Sequence, residues 1–307
     1  MKLSIVIPIC NEAETIPSLY EKLLKTIQKD FKKFSYEIIF VDDGSTDESF
    51  TLLKTLHHKN KSIKVIQFSR NFGHHTAIAA GIDAANADYV VIMNGDLQEQ
   101  PEDIIHLYTK LKLGYDIIYG IRKENHESFL KKLSSKAFWK FINSFTGMEI
   151  PGDQAMLRMF NKKVLFALKD FRESNRFYAG LFSWVGFHHS TCIVNYLPRK
   201  KGKSKYSFMK MLLLSIDAAL GFSNKPLYLI SYLGIIISLS SIIFGLYTIY
   251  MRIFFNIGIL GWPSLMALIS FIGGISIFSI GIIGIYVGRL HQEAMRRPLY
   301  IINNKLL

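Results

Sequence analysis

Charge is nearly missing from one long part of this chain: between Pro226 and Gly288 the single charged residue is Arg252. Leu227–Met251 and Ser264–Gly288 are each 25 residues without a charge. As helices they would each reach about 37 Å, beyond the ~30 Å hydrocarbon core of a bilayer. Soluble cores rarely need two such spans in succession, so two transmembrane helices are expected. Cysteine is scarce too. Cys10 and Cys192 lie far apart, with no CxxC and no histidine-rich partner pattern, which excludes a disulfide framework or zinc site and fits a reducing compartment. No GxGxxG occurs, so a dinucleotide site would lack its phosphate turn. "GKS" at Gly202–Ser204 ends like a P-loop, but Leu197 stands where the first glycine belongs. There is no internal repeat or low-complexity segment. "MKLSIVIPIC" is too short an apolar stretch for a cleavable signal and runs into Asn11-Glu12.

Positive charge, by contrast, is in excess, with a formal net of +13. Arg199, Lys200, Lys201, Lys203 and Lys205 crowd together, and Lys210 and Lys225 follow before the first span; Arg289, Arg296, Arg297 and Lys305 come after the second. The positive-inside rule then puts both termini and the amino-terminal part in the cytoplasm, in a multi-pass cell-membrane protein. Because the basic residues flank the spans, a nucleic-acid partner is not expected. Tyr206–Phe222 places Phe208, Met211, Leu212, Ser215, Ala218, Ala219 and Phe222 at helical spacing. It reads as a helix lying in the bilayer interface or as an amphipathic core helix. The expected organisation is a cytoplasmic domain over 1–206, a juxtamembrane helix over 207–226, two spans over 227–288 and a tail over 289–307. Glycines in the spans (Gly234, Gly245, Gly273, Gly274, Gly281, Gly284) suit close helix packing and a homo-oligomer.

The first 120 residues alternate β-branched runs with helix-period stretches. Strands are expected at Leu3–Ile9, Tyr36–Val41, Ile63–Phe68, Tyr89–Met93 and Asp116–Tyr119. Helices are expected at Glu12–Asp30, Thr46–His57 (capped by Ser45), His75–Ala85 and Pro101–Leu113. This pattern is that of an α/β domain with a mainly parallel central sheet. Ligands in such sheets sit outside the carboxyl ends of strands. That rule selects Pro8 with Asn11-Glu12, then Asp42-Asp43-Gly44-Ser45, Ser69-Arg70-Asn71, Asn94-Gly95-Asp96, and Gly120 with Arg122. In "VVIMNGDLQEQPED", residues 90–103, a buried strand stops abruptly in an amide, a glycine and a carboxylate. That set suits a hard cation and a phosphate. His74 and His75 belong to a helix amino terminus lining the same rim.

"VIPICNEAETI", "VDDGSTD", "SRNFGHHTAIAAGIDAA" and "GDLQEQPED" resemble the family 2 glycosyltransferases of the GT-A fold. The chain is similar, more narrowly, to the membrane-anchored polyprenyl-phosphate branch, which includes dolichol-phosphate mannose synthase and bacterial O-antigen-modifying glucosyl transferases. "YLPRKKGKSKYSFMKML", the two apolar spans and "RRPLYII" extend the likeness over nearly the whole chain.

The resemblance implies a nucleotide-sugar site. Pro8, Glu12 and Asp42 match positions that hold base and ribose, and Asp43 and Asn71 complete that donor side. Asn94, Gly95 and Asp96 occupy the metal motif, where Asp-x-Asp is usual, and Gln98 matches a further ligand of Mg²⁺ or Mn²⁺. Arg122, Arg199 and Lys205 match contacts to donor phosphates or sugar, with Lys203 in the same basic segment. Asp153 matches the acidic residue commonly assigned as catalytic base, and Asp96 the metal-seating aspartate. Two departures stand out: Asn94 replaces the first aspartate, and Ile285 stands where many relatives have glutamate. The implied reaction moves a hexose from a UDP-sugar to polyprenyl phosphate, with glucose or N-acetylglucosamine leading and GDP-mannose or UDP-aminoarabinose as other donors. A non-catalytic nucleotide-sugar-binding membrane protein is the rival that Asn94 motivates. The QxxRW motif of processive polysaccharide synthases is absent, and two spans with one central charge cannot line a transport path.

Overall fold

The computed structural model describes residues 1–122, 140, 143–144, 147, 151–173, 176, 178–197, 224–255 and 261–307. The chain divides into two compact units, Met1–Ser215 with Pro298–Leu307, and Ile216–Arg297.

In the first unit, β1 (Lys2–Ile9) is buried along almost its whole length. Both of its faces are covered, which is why it reads as a continuous apolar run. Leu3, Ile5, Ile7 and Ile9 face a core that includes Leu19 and Leu23 of α1 (Ile16–Asp30), Leu53 of α2 (Ser49–Lys59) and Leu107 of α4 (Ile104–Leu111). On the opposite face, a Cβ on Gly81 of α3 (His74–Ala84) would come within 2.1 Å of Val6. α3 therefore packs directly on β1. β2 (Ser35–Asp42) and β4 (Tyr89–Ile92) flank β1 in parallel, and β3 (Ile63–Phe68) lies parallel outside β2. Parallel neighbours need crossover connections, and the intervening helices supply them.

The expected elements of this half are present, with local corrections. α1 begins at Ile16 and not near Glu12, because residues 11–15 turn across the sheet's end ahead of Pro17. α2 begins at Ser49, and Ser45 does not cap it; the Ser45 hydroxyl instead accepts the N–H of Asn11 at 2.9 Å. Pro101–Asp103 is a short 3₁₀ turn before α4. β5 spans Ile117–Arg122.

Three further strands complete the sheet. β6 (Gln154–Asn161) inserts antiparallel between β4 and β5, β7 (His189–Val194) runs parallel to β5, and β8 (Ile302–Leu306) pairs antiparallel with β3. The order is β7-β5-β6-β4-β1-β2-β3-β8. The sheet is thus mixed, with a parallel centre. α5 (Lys162–Asp170) follows β6, capped by the Asn161 side chain accepting from Val164 N at 3.2 Å, and α6 (Tyr178–Trp184) precedes β7.

Among the described residues, the second unit holds α7 (Lys225–Phe255) and α8 (Trp262–Ala294), both long and apolar enough to cross a membrane. Ile235, Leu239, Phe244, Phe271 and Ile280 are exposed on them. Ser231, Ser241 and Ser279 each donate to the carbonyl four residues earlier, and Thr248 to that of Gly245. Their hydroxyls are thereby satisfied without water. The expected juxtamembrane helix lies outside the described residues, apart from its last three positions.

Candidate active site

The carboxyl ends of β1 to β5 and the amino end of β6 lie at one rim. β1 and β2 are in register from Lys2↔Ser35 to Ile9↔Asp42, which sets Pro8 beside Val41 and Ile9 beside Asp42. Asp42 is fully buried; its Oδ1 accepts from Ser45 N at 3.0 Å, while its Oδ2 has no donor among the described residues. A buried acceptor left alone costs about 1–3 kcal/mol. The absent donor points to a ligand N–H or O–H at this end of the sheet.

Asp43 has a different task. It accepts from Phe72 N at 2.7 Å and Gly73 N at 3.0 Å, clamping the loop between β3 and α3. Burial pushes its carboxyl up, helped by Asp42, against those two N–H donors. The two loops meet closely: a Cβ on Gly44, whose φ is +65°, would lie 2.4 Å from the Arg70 carbonyl carbon. Only glycine fits there. Asn71, on the same loop, is exposed and donates to Cys10 Sγ at 3.3 Å. Glu12 is held through its backbone, its N–H donating to Ser49 Oγ at 3.0 Å.

Beyond β4, the chain turns through Asn94–Gln98. Gly95 O accepts from Thr15 Oγ1 at 2.8 Å, and a Cβ on Gly95 would come within 2.4 Å of Ile9 Cδ1. Its lack of a side chain therefore serves packing against β1. Asp96 Oδ1 accepts from Gln98 N at 3.1 Å, and Leu97 between them adopts φ 60°. The turn offers one carboxylate, Asp96, and two amides, Asn94 and Gln98, as candidate ligands. Among the described residues no three His, Cys, Asp or Glu side chains gather as a metal cage. So sparse a set fits a hard cation that completes its shell with phosphate oxygens and water, and not one held by protein alone.

Arg122 and Asp153 come together from adjacent strands: Arg122 N donates to Asp153 O at 3.2 Å, and Asp153 has φ 54°. Both are exposed at the rim. The Arg122 guanidinium lies 4.3 Å from the centre of the Tyr196 ring. Leu197 N donates to Gln98 O at 2.8 Å, so the chain leaves the Gln98 loop two residues before Arg199. Arg199, Lys203 and Lys205 themselves lie outside the described residues.

Sequence reasoning did not single out Glu99. It is fully buried, accepting from Asn94 N at 2.9 Å and Leu157 N at 2.7 Å. Burial pushes it up to about 7, against the two N–H donors. Nor did sequence reasoning find Thr15, Ser49 or Tyr196, whose roles arise only from contacts across the fold. The buried Glu in a polar turn carried no periodic signal that could have marked it.

Comparison with known proteins shows the family and the fold. The model of glycosyl transferase family 2 matches residues 4–167. The Bacillus subtilis glycosyltransferase YkcC is 39% identical over 305 residues, covering 98% of this chain and 93% of its own. The bactoprenol glucosyl transferase of Shigella phage SfV is 33% identical over 308 residues, covering 99% of each. Glucosyl-3-phosphoglycerate synthase from Mycobacterium tuberculosis, a GT-A structure, superposes with a TM-score of 0.51 at 14% identity, over 72% of this chain and 79% of that one. The last likeness is one of fold.

Proposed function

The chain belongs to glycosyl transferase family 2, and we propose that it transfers a hexose from a UDP-sugar to polyprenyl phosphate, with undecaprenyl phosphate as acceptor. Glucose is the first choice of sugar and N-acetylglucosamine the second. The observation that carries this reading is a pairing within one chain. A rim of Asp42, Asn94–Gln98, Arg122 and Asp153 accompanies two helices long and apolar enough to cross a membrane. Relatives named bactoprenol glucosyl transferase over the full chain length support a lipid-phosphate acceptor.

In this reading Pro8, Glu12 and Asp42 take the nucleoside, and the unpartnered Asp42 Oδ2 receives a donor from it. Asp43 and Asn71 shape that side of the site. Asp96, with Gln98 and Asn94, would hold Mg²⁺ or Mn²⁺. A divalent cation there supplies neutralisation of the charge that develops on the departing diphosphate. Arg122 faces the same charge from β5, and Leu197, two residues before Arg199 in the sequence, is hydrogen-bonded to Gln98. An acceptor phosphate oxygen forms the new bond to the anomeric carbon as the bond to the diphosphate breaks, releasing UDP and inverting the centre. A phosphate monoester has its second pKa near 6 and is largely dianionic at neutral pH. Asp153 thus has only a residual proton to collect, or an acceptor to orient. The helices α7 and α8 anchor the domain on the cytoplasmic side of the cell membrane. A homo-oligomer through them is testable by crosslinking in native membranes.

The decisive experiment incubates the full-length protein in nanodiscs with undecaprenyl phosphate and a panel of nucleotide sugars, with and without EDTA. A sugar-linked lipid from one UDP-hexose, lost with EDTA and lost in Asp96→Ala, is expected. UDP-sugar binding without any glycolipid product would instead favour a non-catalytic binding protein, the reading that Asn94 motivates.

A further inference from the structure

We propose that Glu99 is a positioning residue that locks the Asn94–Gln98 loop into the register in which Asp96 and Gln98 can share a cation with the donor diphosphate. The proposal rests on the functional reading above. β4 pairs with β6 as far as Ile92↔Arg158, and there β4 ends. Leu157 is the next residue of β6 in that direction, so its N–H faces a place where the ladder has no further strand. Glu99 fills it: Oε1 accepts from Leu157 N and Oε2 from Asn94 N, at 2.7 and 2.9 Å. The carboxylate acts as one more rung, joining the loop after β4 to β6.

The same residue ties in a third segment through its backbone, which bridges to Tyr196. Tyr196 in turn lies under the Arg122 guanidinium, and Leu197 N donates to Gln98 O. One buried residue therefore connects, by its side chain, the loop that carries Asp96 with the strand that follows Asp153 and, by its backbone, the segment that holds Tyr196 and Leu197. Stability alone does not call for an acid here, since a buried carboxylate is costly and an apolar side chain could fill the volume. Two N–H groups that converge from separate segments, however, are each met by its own oxygen in a carboxylate. Glutamine matches the shape but offers one oxygen and one NH₂, so one of the two N–H groups would face a donor.

The test compares full-length wild type, Glu99→Gln and Glu99→Asp, each with UDP present, by electron paramagnetic resonance of free Mn²⁺. Unfolding temperature and glycolipid synthesis against Mn²⁺ concentration are measured alongside. Partners of this kind typically change metal affinity by about 10–100-fold. Glu99→Gln is expected to weaken Mn²⁺ binding by about tenfold, to leave metal-free UDP binding unchanged, and to recover rate at high Mn²⁺. Mn²⁺ binding equal to wild type in a folded Glu99→Gln protein overturns the proposal. If that variant does not fold, Glu99→Asp, which is one methylene too short to reach both N–H groups, must show the same weakening or the proposal fails. A wild type that binds Mn²⁺ with UDP yet makes no glycolipid overturns the acceptor reading and leaves the Glu99 comparison to be decided on binding.

Discussion

Asn94 is the residue at which chemistry and family pattern diverge. In the proposed reading, an amide in place of a carboxylate would remove a unit of negative charge beside a bound cation while keeping an oxygen that can ligate it. Asn94→Asp is therefore expected to lower the Mn²⁺ concentration for half-maximal activity by about tenfold, on the scale of such ligand changes. A metal titration of glycolipid synthesis checks it, and an unchanged midpoint would mean that residue 94 does not face the metal. Backbone strain marks the same neighbourhood: Asn11, Leu97 and Asp153 are three of the four non-glycine residues with positive φ among those described. Left-handed non-glycine residues persist where surrounding structure holds them, commonly at functional sites. Asp153 is expected to matter most when the acceptor phosphate still carries its second proton. Asp153→Asn should thus slow turnover more at pH 6 than at pH 8, measured with saturating donor. Equal loss at both would assign Asp153 a purely positional part.

At the scale of elements, β1, β2 and β3 share a buried acid that is separate from the site. Glu37 on β2 accepts from Ser4 Oγ and from Asn86 N, and pairs with Lys2 at 2.7 Å and Lys64 at 3.0 Å. Burial alone would push it up, but the hydrogen bonds from Lys2, Ser4, Asn86 and Lys64 prevail and hold it at about 2, against an ordinary 4.5. Because the folded value lies below the unfolded one, its stabilisation is complete above about 4.5 and fades as pH falls toward 2. Glu37→Gln should cost about 2 kcal/mol at pH 7 and flatten the acid limb of a melting-temperature profile between those values. An unchanged limb would show that the acid is not the group that titrates. The strands around Glu37 could be read from sequence because burial on both faces leaves long β-branched runs. β6 carries Gln154 and Arg158, and β8 is an exposed edge reading "INNKL", so neither shows a run or an alternation. Asp96 and Arg122 were readable from the strand-end rule, whereas Glu99 acquires its meaning only when β6 arrives beside it from 58 residues away.

For the whole molecule, the decisive feature is where the tail goes. The chain leaves the first unit after Ser215 and rejoins it at Pro298. β8 then adds to β3 through Val65↔Leu306, Ile66↔Lys305, Gln67↔Asn304 and Phe68↔Ile302. Tyr300 fastens the approach, stacking on Phe68 with ring centres 5.0 Å apart and donating to Asp83 Oδ2 at 2.9 Å. A strand hydrogen-bonded into the sheet must lie on the sheet's side of any bilayer. If the apolar segment between enters a bilayer, as proposed, it must cross an even number of times, and the two apolar helices would supply two crossings. Charge placement suggests an orientation from sequence, but the strand pairing that keeps the tail with the sheet could not be seen there, since an edge strand of five residues has no apolar signature. The expected outcome is specific. In intact cells a membrane-impermeant maleimide should label Gly258→Cys, between the helices, and spare Leu307→Cys until the membrane is opened. Labelling of Leu307→Cys from outside at the level of Gly258→Cys would overturn the proposed topology, in which β8 and the sheet it joins lie together on the cytoplasmic side.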